Sequence, residues 1–325
     1  MRKDEGCLML LSIIIPVYNA QDKISRMLDS LIVNNLPFEI ICVNDGSKDE
    51  SVKVINQYND PRIKLFSKNN EGTFKAWQYG LHHASGEYVT ILDQDDYIDK
   101  EYIPYIFHFI KNINADILFT PYYVEKESGE KRIEKIPIHE GLYEGDNLNK
   151  IRSKLCNGTV PYAKFSKVIR KEILLYQVSE TYKGYIQDFE DWLTIIPIFN
   201  KINSLYIKDK PFYHYVQYQN ANSGSKSTKS YRKNYESMRN MISYLGDNSF
   251  SLICNDNVNS VYFYSSRILL YKCIKIKDFL LADEILKDIR FRRFIRKSNL
   301  KSYEKLLLLL RNKRIIYMLY RIKNK

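Results

Sequence analysis

The stretch FEIICVNDGSKDESVKVINQY, residues 38–58, contains a complete strand-to-helix unit. Its first six residues form a short, mostly apolar run, which is typical of a strand buried on both faces of a sheet. Residues 44–47 form a polar turn that contains a glycine, and the apolar spacing after Ser51 predicts a helix. Strand, turn and helix in this order predict an α/β fold.

The same alternation continues on both sides of this stretch. Strands are predicted in LMLLSIII, FEIICV, IKLFS, EYVTIL and ADILFT, and helices in ISRMLDSLIV, SVKVINQY, TFKAWQYGLHHA and EYIPYIFHFIKN. Strands that alternate with helices of about ten residues predict a doubly wound, mostly parallel sheet.

The pattern changes after residue 119. A hairpin is predicted around Ser128–Gly129, helices over 146–156, over 164–175 and in EDWLTIIPIFNKI, and two short strands in SLYIKDKPFYHYV. Past residue 230 only helical patterns are found. We therefore predict a first domain over residues 1–225 and a mainly helical subdomain over 226–325.

Polar clusters follow three of the predicted strands. PVYN ends the first strand, NDGS the second and DQDD the fourth. Because the carboxyl ends of parallel strands lie along one edge of the sheet, these clusters are expected to meet in one crevice. Asp45 would then accept hydrogen bonds from a ligand. The alternative is a simple helix entry, in which Ser47 or Asp49 caps the helix and Gly46 supplies the turn.

The DQDD cluster, residues 93–96, places three carboxylates within four residues. Such carboxylates repel one another unless a cation or hydrogen-bond donors compensate them. A hard divalent ion commonly uses one or two protein carboxylates, with phosphate oxygens completing its shell. Asp93 and Asp95 are therefore candidates for a nucleoside-diphosphate site. The alternative, that Asp96 or Asp99 caps the next helix, is compatible with this if Asp99 is the cap.

Two further candidates lie later in the chain. In QDFEDW, residues 187–192, the carboxylates either stabilise a helix amino terminus against its dipole or include a general base. His214, in PFYHY, is a candidate metal ligand because a neutral imidazole binds metals. The other four histidines show no partner pattern and are expected to be structural or on the surface.

Charge divides the chain into two parts. The net charge is +12, and residues 226–325 carry 23 Lys and Arg against 8 Asp and Glu, a net of +15. The first 225 residues therefore carry −3. The stretch NANSGSKSTKS between the two parts, residues 220–230, is typical of a loop or linker.

The basic tail has two interpretations. Its helices either pack on the first domain with a solvated basic face, or lie at an anionic membrane surface as interfacial helices. A nucleic-acid partner is not expected, because the chain lacks a recognition motif.

Several protein classes are not expected. No apolar run reaches about 18 residues, so no spanning helix is predicted. Asp4 and Glu5 interrupt the basic start and no small-residue cleavage site follows, so we expect no signal peptide and a cytoplasmic protein. Five dispersed cysteines indicate neither a disulfide framework nor a zinc site. The signatures of dinucleotide-binding, P-loop, serine-hydrolase and zinc-protease sites are absent from the sequence.

The order of the motifs SIIIPVYN, VNDGSKD, NNEG, GLHHASGEYVTILDQDD and EDW resembles that of the family 2 glycosyltransferases with the GT-A fold. The likeness covers about residues 11–225. It implies a GT-A catalytic domain, a doubly wound sheet with a Rossmann-like nucleotide-binding half. It also implies inverting, metal-dependent transfer of a hexose, of glucose or galactose type, from a UDP-sugar to a growing glycan. The glycan would belong to a bacterial surface polysaccharide or glycoprotein, on a lipid or protein carrier. The alternative is a catalytically inactive nucleotide-sugar-binding or membrane-scaffold protein.

The resemblance also implies roles for individual residues. The positions that it assigns to the nucleotide-sugar are Pro16, Tyr18, Asn19, Asp45, Asn69, Gly72, Asp93 and Gln94. Asp95 matches the residue on Mn²⁺ or Mg²⁺, with His214 as the second candidate ligand. Asp191 matches the inverting general base, with Glu190 beside it, and the spacing to KPFYHY favours Asp191 over Asp188.

One feature of the family pattern is missing. Family members often carry an arginine just after the aromatic pair, where this chain has YHYVQ. His214 or Lys226 would then take its place at the phosphates, and Ser223 and Ser225 match a mobile loop that closes on the pyrophosphate.

Overall fold

The computed structural model describes residues 9–156, 160–179 and 190–218, and farther along the chain 231–232, 235–236, 239–240, 266, 269–270, 273 and 277–288. The chain divides into two compact units. The first comprises residues 1–155, 159–186 and 190–220, and the second comprises 156–158, 187–189 and 221–325. The predicted domain boundary at residue 225 lies outside the described residues.

The first unit contains two sheets and seven α-helices among its described residues. The strands are β1 Leu11–Val17, β2 Glu39–Asp45, β3 Ile63–Lys68, β4 Tyr88–Ile91, β5 Tyr97–Ile98, β6 Ile117–Phe119, β7 Tyr122–Lys126, β8 Lys131–Glu134, β9 Gly141–Glu144, β10 Lys167–Arg170, β11 Ser204–Ile207 and β12 Tyr213–Gln217. The helices are α1 Ile24–Ile32, α2 Ser51–Asn56, α3 Thr73–His83, α4 Tyr102–Asn112, α5 Gly145–Cys156, α6 Lys171–Ser179 and α7 Glu190–Lys201. A short 3₁₀ helix, Lys164–Ser166, precedes β10.

The large sheet has eight strands in the order β3-β2-β1-β4-β10-β6-β11-β9. Strands β3, β2, β1 and β4 are parallel, and so are β6 and β11, whereas β10 and β9 are antiparallel to their neighbours. The predicted α/β fold with a mostly parallel sheet is confirmed. Since β1, β2 and β4 run in the same direction, their carboxyl ends lie at one edge, where the three polar clusters were predicted to meet.

The core explains the continuous apolar runs of the strands. Alternate residues point to opposite faces of a strand, and in β1 all seven residues are buried. On one face Ile13 and Ile15 join the cluster that holds α1 and α4. On the other face α3 lies against β1 and β2, and Gly80 allows the contact, because a Cβ there would lie 2.7 Å from Ile14. Both faces are therefore covered, as an α/β sheet requires.

The second sheet has four strands in the order β5-β12-β7-β8. Strands β7 and β8 form the hairpin predicted around Ser128–Gly129. Strand β12 runs parallel to β7 and antiparallel to β5. The pairing of β12 with β5 places Tyr213 and His214 beside residues 97–98, directly after the DQDD cluster.

The helix predicted over 164–175 is wrong in its first half. Residues 164–170 form the 3₁₀ helix and β10, and α6 begins only at Lys171. Strand β10 pairs with both β4 and β6, so Val168 and Ile169 are buried in the sheet. Pairing with two strands distant in sequence decides the conformation here against the local pattern.

The described residues of the second unit include one long helical segment, α8, Phe279–Lys287. Asp278 caps α8 by accepting a hydrogen bond from the backbone N–H of Leu281 at 3.1 Å. Arg232 forms an ion pair with Glu284 of this helix at 2.9 Å. Across the described part of the chain, no helix is long and apolar enough to cross a membrane.

Candidate active site

Gln94 joins the ends of β1 and β4. Its Oε1 accepts a hydrogen bond from the backbone N–H of Tyr18 at 2.7 Å, and its Nε2 donates to the carbonyl of Tyr18 at 3.0 Å. The Tyr18 side chain remains 42% exposed, and Pro16 lies buried in β1 beside Val43. The structure thus brings these three predicted residues together and leaves an aromatic face open at the sheet edge.

Asp45 is the last residue of β2 and is almost completely buried. Its carboxylate accepts hydrogen bonds from Lys68 Nζ at 3.0 Å and from the backbone N–H groups of Glu71 at 3.0 Å and Gly72 at 2.7 Å. Lys68 also donates to the carbonyl of Asn69 at 2.7 Å. Asp45 therefore orders the loop of residues 69–72, which contains both predicted loop positions.

Asn19 links the loop after β1 to the turn after β2. Its backbone N–H donates to Ser47 Oγ at 3.1 Å, and its side-chain oxygen accepts from the N–H of Lys48 at 2.8 Å. Neither Ser47 nor Asp49 is the helix cap that was considered, because the residue before α2 is Glu50 and no side chain caps this helix. Asp49 instead accepts a hydrogen bond from the N–H of Ser51, the first residue of α2, at 3.1 Å and steadies the turn before the helix.

The DQDD aspartates have separate surroundings. Asp96 is fully buried, and its carboxylate accepts hydrogen bonds from the Tyr213 hydroxyl at 2.5 Å and the N–H of Val216 at 2.8 Å. It therefore fastens β12 to the loop after β4. Asp99 is not the predicted cap of α4, since its side chain lies 3.0 Å from His214 Nε2 and no side chain caps that helix.

Asp95 has little positive charge to balance it. Lys23 Nζ lies 3.7 Å from its carboxylate, while burial, followed by the charge of Asp93, raises the pKa of Asp95. Arg26 and the hydroxyl of Tyr218 donate to the backbone carbonyl of Asp95 and hold the loop in place. A bound cation would stabilise the ionised form of such a partly buried carboxylate.

The predicted role of His214 as a metal ligand needs correction. The imidazole is stacked between Tyr97 and Tyr123, with ring centroids 4.1 and 4.6 Å away. Its Nε2 contacts Asp99, and its Nδ1 lies 3.3 Å from Glu125. Both ring nitrogens are thus occupied by partners on opposite sides of the ring. Within the described ranges no His, Cys, Asp and Glu side chains form a group of three suited to a metal.

The chemistry at Asp95 nevertheless fits a divalent ion of the Mn²⁺ or Mg²⁺ type. Such an ion does not require a cage of protein ligands when substrate phosphates supply the other oxygens. Asp95 is the carboxylate available for it, because Asp96 is hydrogen-bonded within the fold and Asp93 has another cationic partner.

That partner is Lys164, which sequence reasoning missed. Its Nζ lies 3.2 Å from Asp93, 3.1 Å from Glu190 and 3.4 Å from Asp191, and its side chain is only 6% exposed. In the segment AKFSK, residues 163–167, Lys164 lies between Ala163 and Phe165, and no local sequence pattern indicates that its side chain is buried. The structure therefore brings the predicted base region to the predicted donor region through one ammonium group.

The carboxylates around Lys164 have altered acidities. Burial, and then the charge of Asp191, raises the pKa of Glu190 to about 7, although Lys164 opposes the shift. Burial, with Asp93 adding to it, also raises the pKa of Asp191. Burial disfavours the charged form of Lys164, but the three carboxylates outweigh it and raise the pKa of Lys164 well above its ordinary value.

Four residues discussed from the sequence in connection with the site lie outside the described part of the chain. These are Asp188, Ser223, Ser225 and Lys226.

Comparison with known proteins identifies the family. Residues 12–174, about half of the chain, match the family model described as Glycosyl transferase family 2. The chain belongs to glycosyl transferase family 2. The matched region contains the strand ends with Asp45, Asp93 and Asp95, and it also contains Lys164.

Curated relatives of this family 2 protein share only part of their length with it. Glycosyltransferase GlyA of Streptococcus pneumoniae serotype 4 is 31% identical over 179 residues, 50% of this chain and 26% of GlyA. The poly(ribitol-phosphate) beta-glucosyltransferase of Bacillus spizizenii is 38% identical over 116 residues, 34% of this chain and 18% of that enzyme. The matches thus span about a quarter or less of these relatives.

Solved structures confirm the GT-A fold of this family 2 chain. The crystal structure of S. aureus TarS 1–349 in complex with UDP-GlcNAc has a TM-score of 0.68 at 22% identity, covering 89% of this chain and 81% of that chain. The complex of the same TarS fragment with UDP has a TM-score of 0.67 at 19% identity, covering 97% and 91%.

Proposed function

We propose that this chain is an inverting, metal-dependent glycosyltransferase that moves a hexose from a UDP-sugar to a hydroxyl of a growing glycan. The observation that carries the proposal is the meeting of Asp93 with Glu190 and Asp191 around Lys164, at the sheet edge where Asp95 also lies. The acceptor would belong to a surface polysaccharide or glycoprotein. Two relatives support this choice, a poly(ribitol-phosphate) beta-glucosyltransferase and TarS, which has been crystallised with UDP-GlcNAc and UDP.

The donor half of the site is formed by the ends of β1, β2 and β4. The exposed ring of Tyr18 would offer a stacking surface for the base. Asp45 would contribute by ordering the loop of residues 69–72 beside it, since its buried carboxylate accepts hydrogen bonds from the N–H groups of Glu71 and Gly72. Asp93 would accept a hydrogen bond from the ribose. Asp95 would hold Mn²⁺ or Mg²⁺ together with the two phosphates. When bound, this ion acts as a Lewis acid that makes the diphosphate a better leaving group.

The acceptor half centres on Asp191. Its Oδ1 is buried and lies 3.4 Å from Lys164 Nζ, whereas its side chain as a whole is 31% exposed. A carboxylate with a raised pKa is a better proton acceptor, which suits the removal of a proton from an acceptor hydroxyl. Inversion requires this base on the opposite face of the sugar from the diphosphate, as in inverting glycosidases. We propose that Asp191, which lies on α7 and thus on a different segment from the donor residues, takes this position.

The proposal is tested with a panel of UDP-sugars. We expect UDP release from one UDP-hexose in the presence of Mn²⁺, and loss of release when EDTA is added. Release that is equal with and without EDTA would contradict the assignment of Asp95. UDP binding without release from every donor and acceptor tried would favour the alternative, an inactive nucleotide-sugar-binding or membrane-scaffold protein.

For the location we propose a cytoplasmic protein that touches the inner face of the membrane through its basic carboxyl-terminal part. The support is the net charge of +15 over residues 226–325, which favours anionic lipid surfaces. An acceptor on a lipid carrier would be found at that surface.

A further inference from the structure

One ammonium group lies between three carboxylates in the proposed site. Lys164 contacts Asp93, from the loop after β4, and both Glu190 and Asp191, from the first turn of α7. All three distances are between 3.1 and 3.4 Å, so the charge is shared rather than assigned to one partner. An isolated buried charge is costly, and removing the cation would leave three carboxylates in a poorly solvated place.

The fold holds the backbone of Lys164 in one position. The 3₁₀ helix that carries it leads into β10, and the hydroxyl of Thr90 in β4 donates to the carbonyl of Lys167 at 3.0 Å. Phe165 is stacked on Tyr213 with ring centroids 4.3 Å apart. The hydroxyl of Ser166 donates to the carbonyl of Ala163 at 2.9 Å and closes the turn. The backbone that carries the amino group is therefore held by contacts with both sheets.

We propose that Lys164 is a positioning residue that keeps Asp191 ionised and oriented for proton transfer, and that ties the base to the donor site through Asp93. The inference rests on the proposed function and deepens it. Lys164 would act through these carboxylates and make no contact with the sugar or the diphosphate itself. Its amino group is already surrounded by protein oxygens, which leaves little room for a phosphate.

The other charged and titratable groups near Asp191 do not replace Lys164. Lys167 of β10 donates to the carbonyls of Pro161 and Ala163, and burial lowers its pKa to about 7, so it carries little charge above neutral pH. Tyr122 of β7 and Tyr215 of β12 also face this region, and burial, followed by the nearby carboxylates, raises the pKa of each. Lys164 thus supplies the positive charge for the cluster among the described residues.

The first test compares Lys164→Met with Lys164→Arg and with a control, Lys171→Met. Lys171 lies in the same segment, but its amino group donates to the carbonyl of Ala84. For Lys164→Met we expect kcat to fall about 100-fold or more, in line with loss of general-base catalysis. In a plot of kcat against pH, the acidic limb of this variant should shift to higher pH by about one unit or more. The reason is that loss of the positive charge raises the pKa of Asp191. UDP affinity should change only a few-fold.

The two comparison variants separate charge from placement. Lys164→Arg keeps the charge in a larger group, so we expect the limb to stay in place while kcat falls about 10-fold. Lys171→Met should leave the limb and kcat unchanged. A Lys164→Met enzyme with an unchanged limb would overturn the inference. Loss of UDP affinity by more than 10-fold with an unchanged limb would also overturn it, and would assign Lys164 to the diphosphate instead.

A measurement that does not need activity separates this inference from the proposed function. The carboxyl groups of the full chain, labelled with ¹³C in Asp and Glu, are titrated by NMR in the wild type and in Lys164→Met. We expect the pKa values of Glu190 and Asp191 to be higher in the variant, and the same result in Lys164→Gln. Equal pKa values would refute the role of Lys164. Failure to release UDP in the wild type would instead refute the proposed function.

Discussion

Four consecutive residues, 93–96, show how closely spaced carboxylates acquire different roles. Asp93 faces the ammonium of Lys164, and Gln94 forms two hydrogen bonds with the backbone of Tyr18. Asp95 has one lysine partner, Lys23, at 3.7 Å. Asp96 is buried and hydrogen-bonded to β12. Their different partners, rather than their shared chemistry, make Asp93 and Asp95 the candidates for ligand binding.

The raised pKa values of the base region predict how activity depends on pH. Proton transfer to Asp191 requires its ionised form, and burial raises the pKa of Asp191 above the ordinary value of about 4 for an aspartate. As the pH falls through the raised pKa, Asp191 takes up a proton and kcat decreases. Its neighbour Glu190, with a pKa of about 7, also takes up a proton as the pH falls.

This dependence is measured as kcat at saturating donor between pH 5 and 9. We expect kcat to rise with pH and to level off, while UDP affinity changes less over the same range. A kcat that stays constant over the whole range down to pH 5 would contradict a base with a raised pKa and would indicate an ordinary, exposed carboxylate instead.

For single residues, the sequence predicts which side chains belong to the site better than it predicts which residues they contact. Pro16, Tyr18 and Gln94 lie together as expected, because strand ends are local features of an α/β pattern. Lys164 and His214 could not be placed in this way. Their surroundings come from contacts with residues that are distant in the chain, such as Asp93 and Asp99.

At the scale of elements, the parallel part of the fold follows directly from sequence pattern. Strands β1 to β4 and the helices between them are found within a few residues of their predicted positions. The edge strand β9 and the inserted strand β10 were not predicted. Their hydrogen bonds depend on β11, β4 and β6, which are distant in sequence, so a local pattern carries little information about them.

The attachment of β12 to the DQDD loop leads to a prediction on stability. The Tyr213 hydroxyl donates to Asp96 and accepts a hydrogen bond from the N–H of Asp93 at 3.1 Å. Tyr213→Phe removes both contacts and leaves a fully buried carboxylate oxygen without this donor. We expect a loss of about 1–3 kcal/mol in the free energy of unfolding, measured with urea.

The matched control for this change is Tyr143→Phe. The Tyr143 hydroxyl donates to the carbonyl of His139 at an exposed position of β9. Its removal should cost less than about 0.5 kcal/mol. Equal losses for the two variants would show that the Tyr213 hydroxyl does not fasten β12 to this loop.

For the whole molecule, charge distinguishes the two parts of the chain and leads to a prediction on membrane binding. The full chain should sediment with anionic vesicles more than with neutral ones, and removal of residues 300–325 should reduce this binding. A full-length variant with Arg311, Lys313 and Arg314 changed to Gln tests charge without shortening the chain. If the truncated protein binds anionic vesicles as well as the full chain does, these residues are not the anchor.

In the whole molecule, the proposed reaction uses a donor site at the strand ends and a base on a separate element, α7. The most direct test compares wild-type protein with Asp191→Asn, measuring UDP affinity by calorimetry and UDP release from the active UDP-hexose with Mn²⁺. We predict UDP affinity within a few-fold of wild type and release reduced about 10²–10⁴-fold, the range for loss of a general base. Loss of UDP binding, or release that persists at the wild-type rate, would contradict the assignment of Asp191.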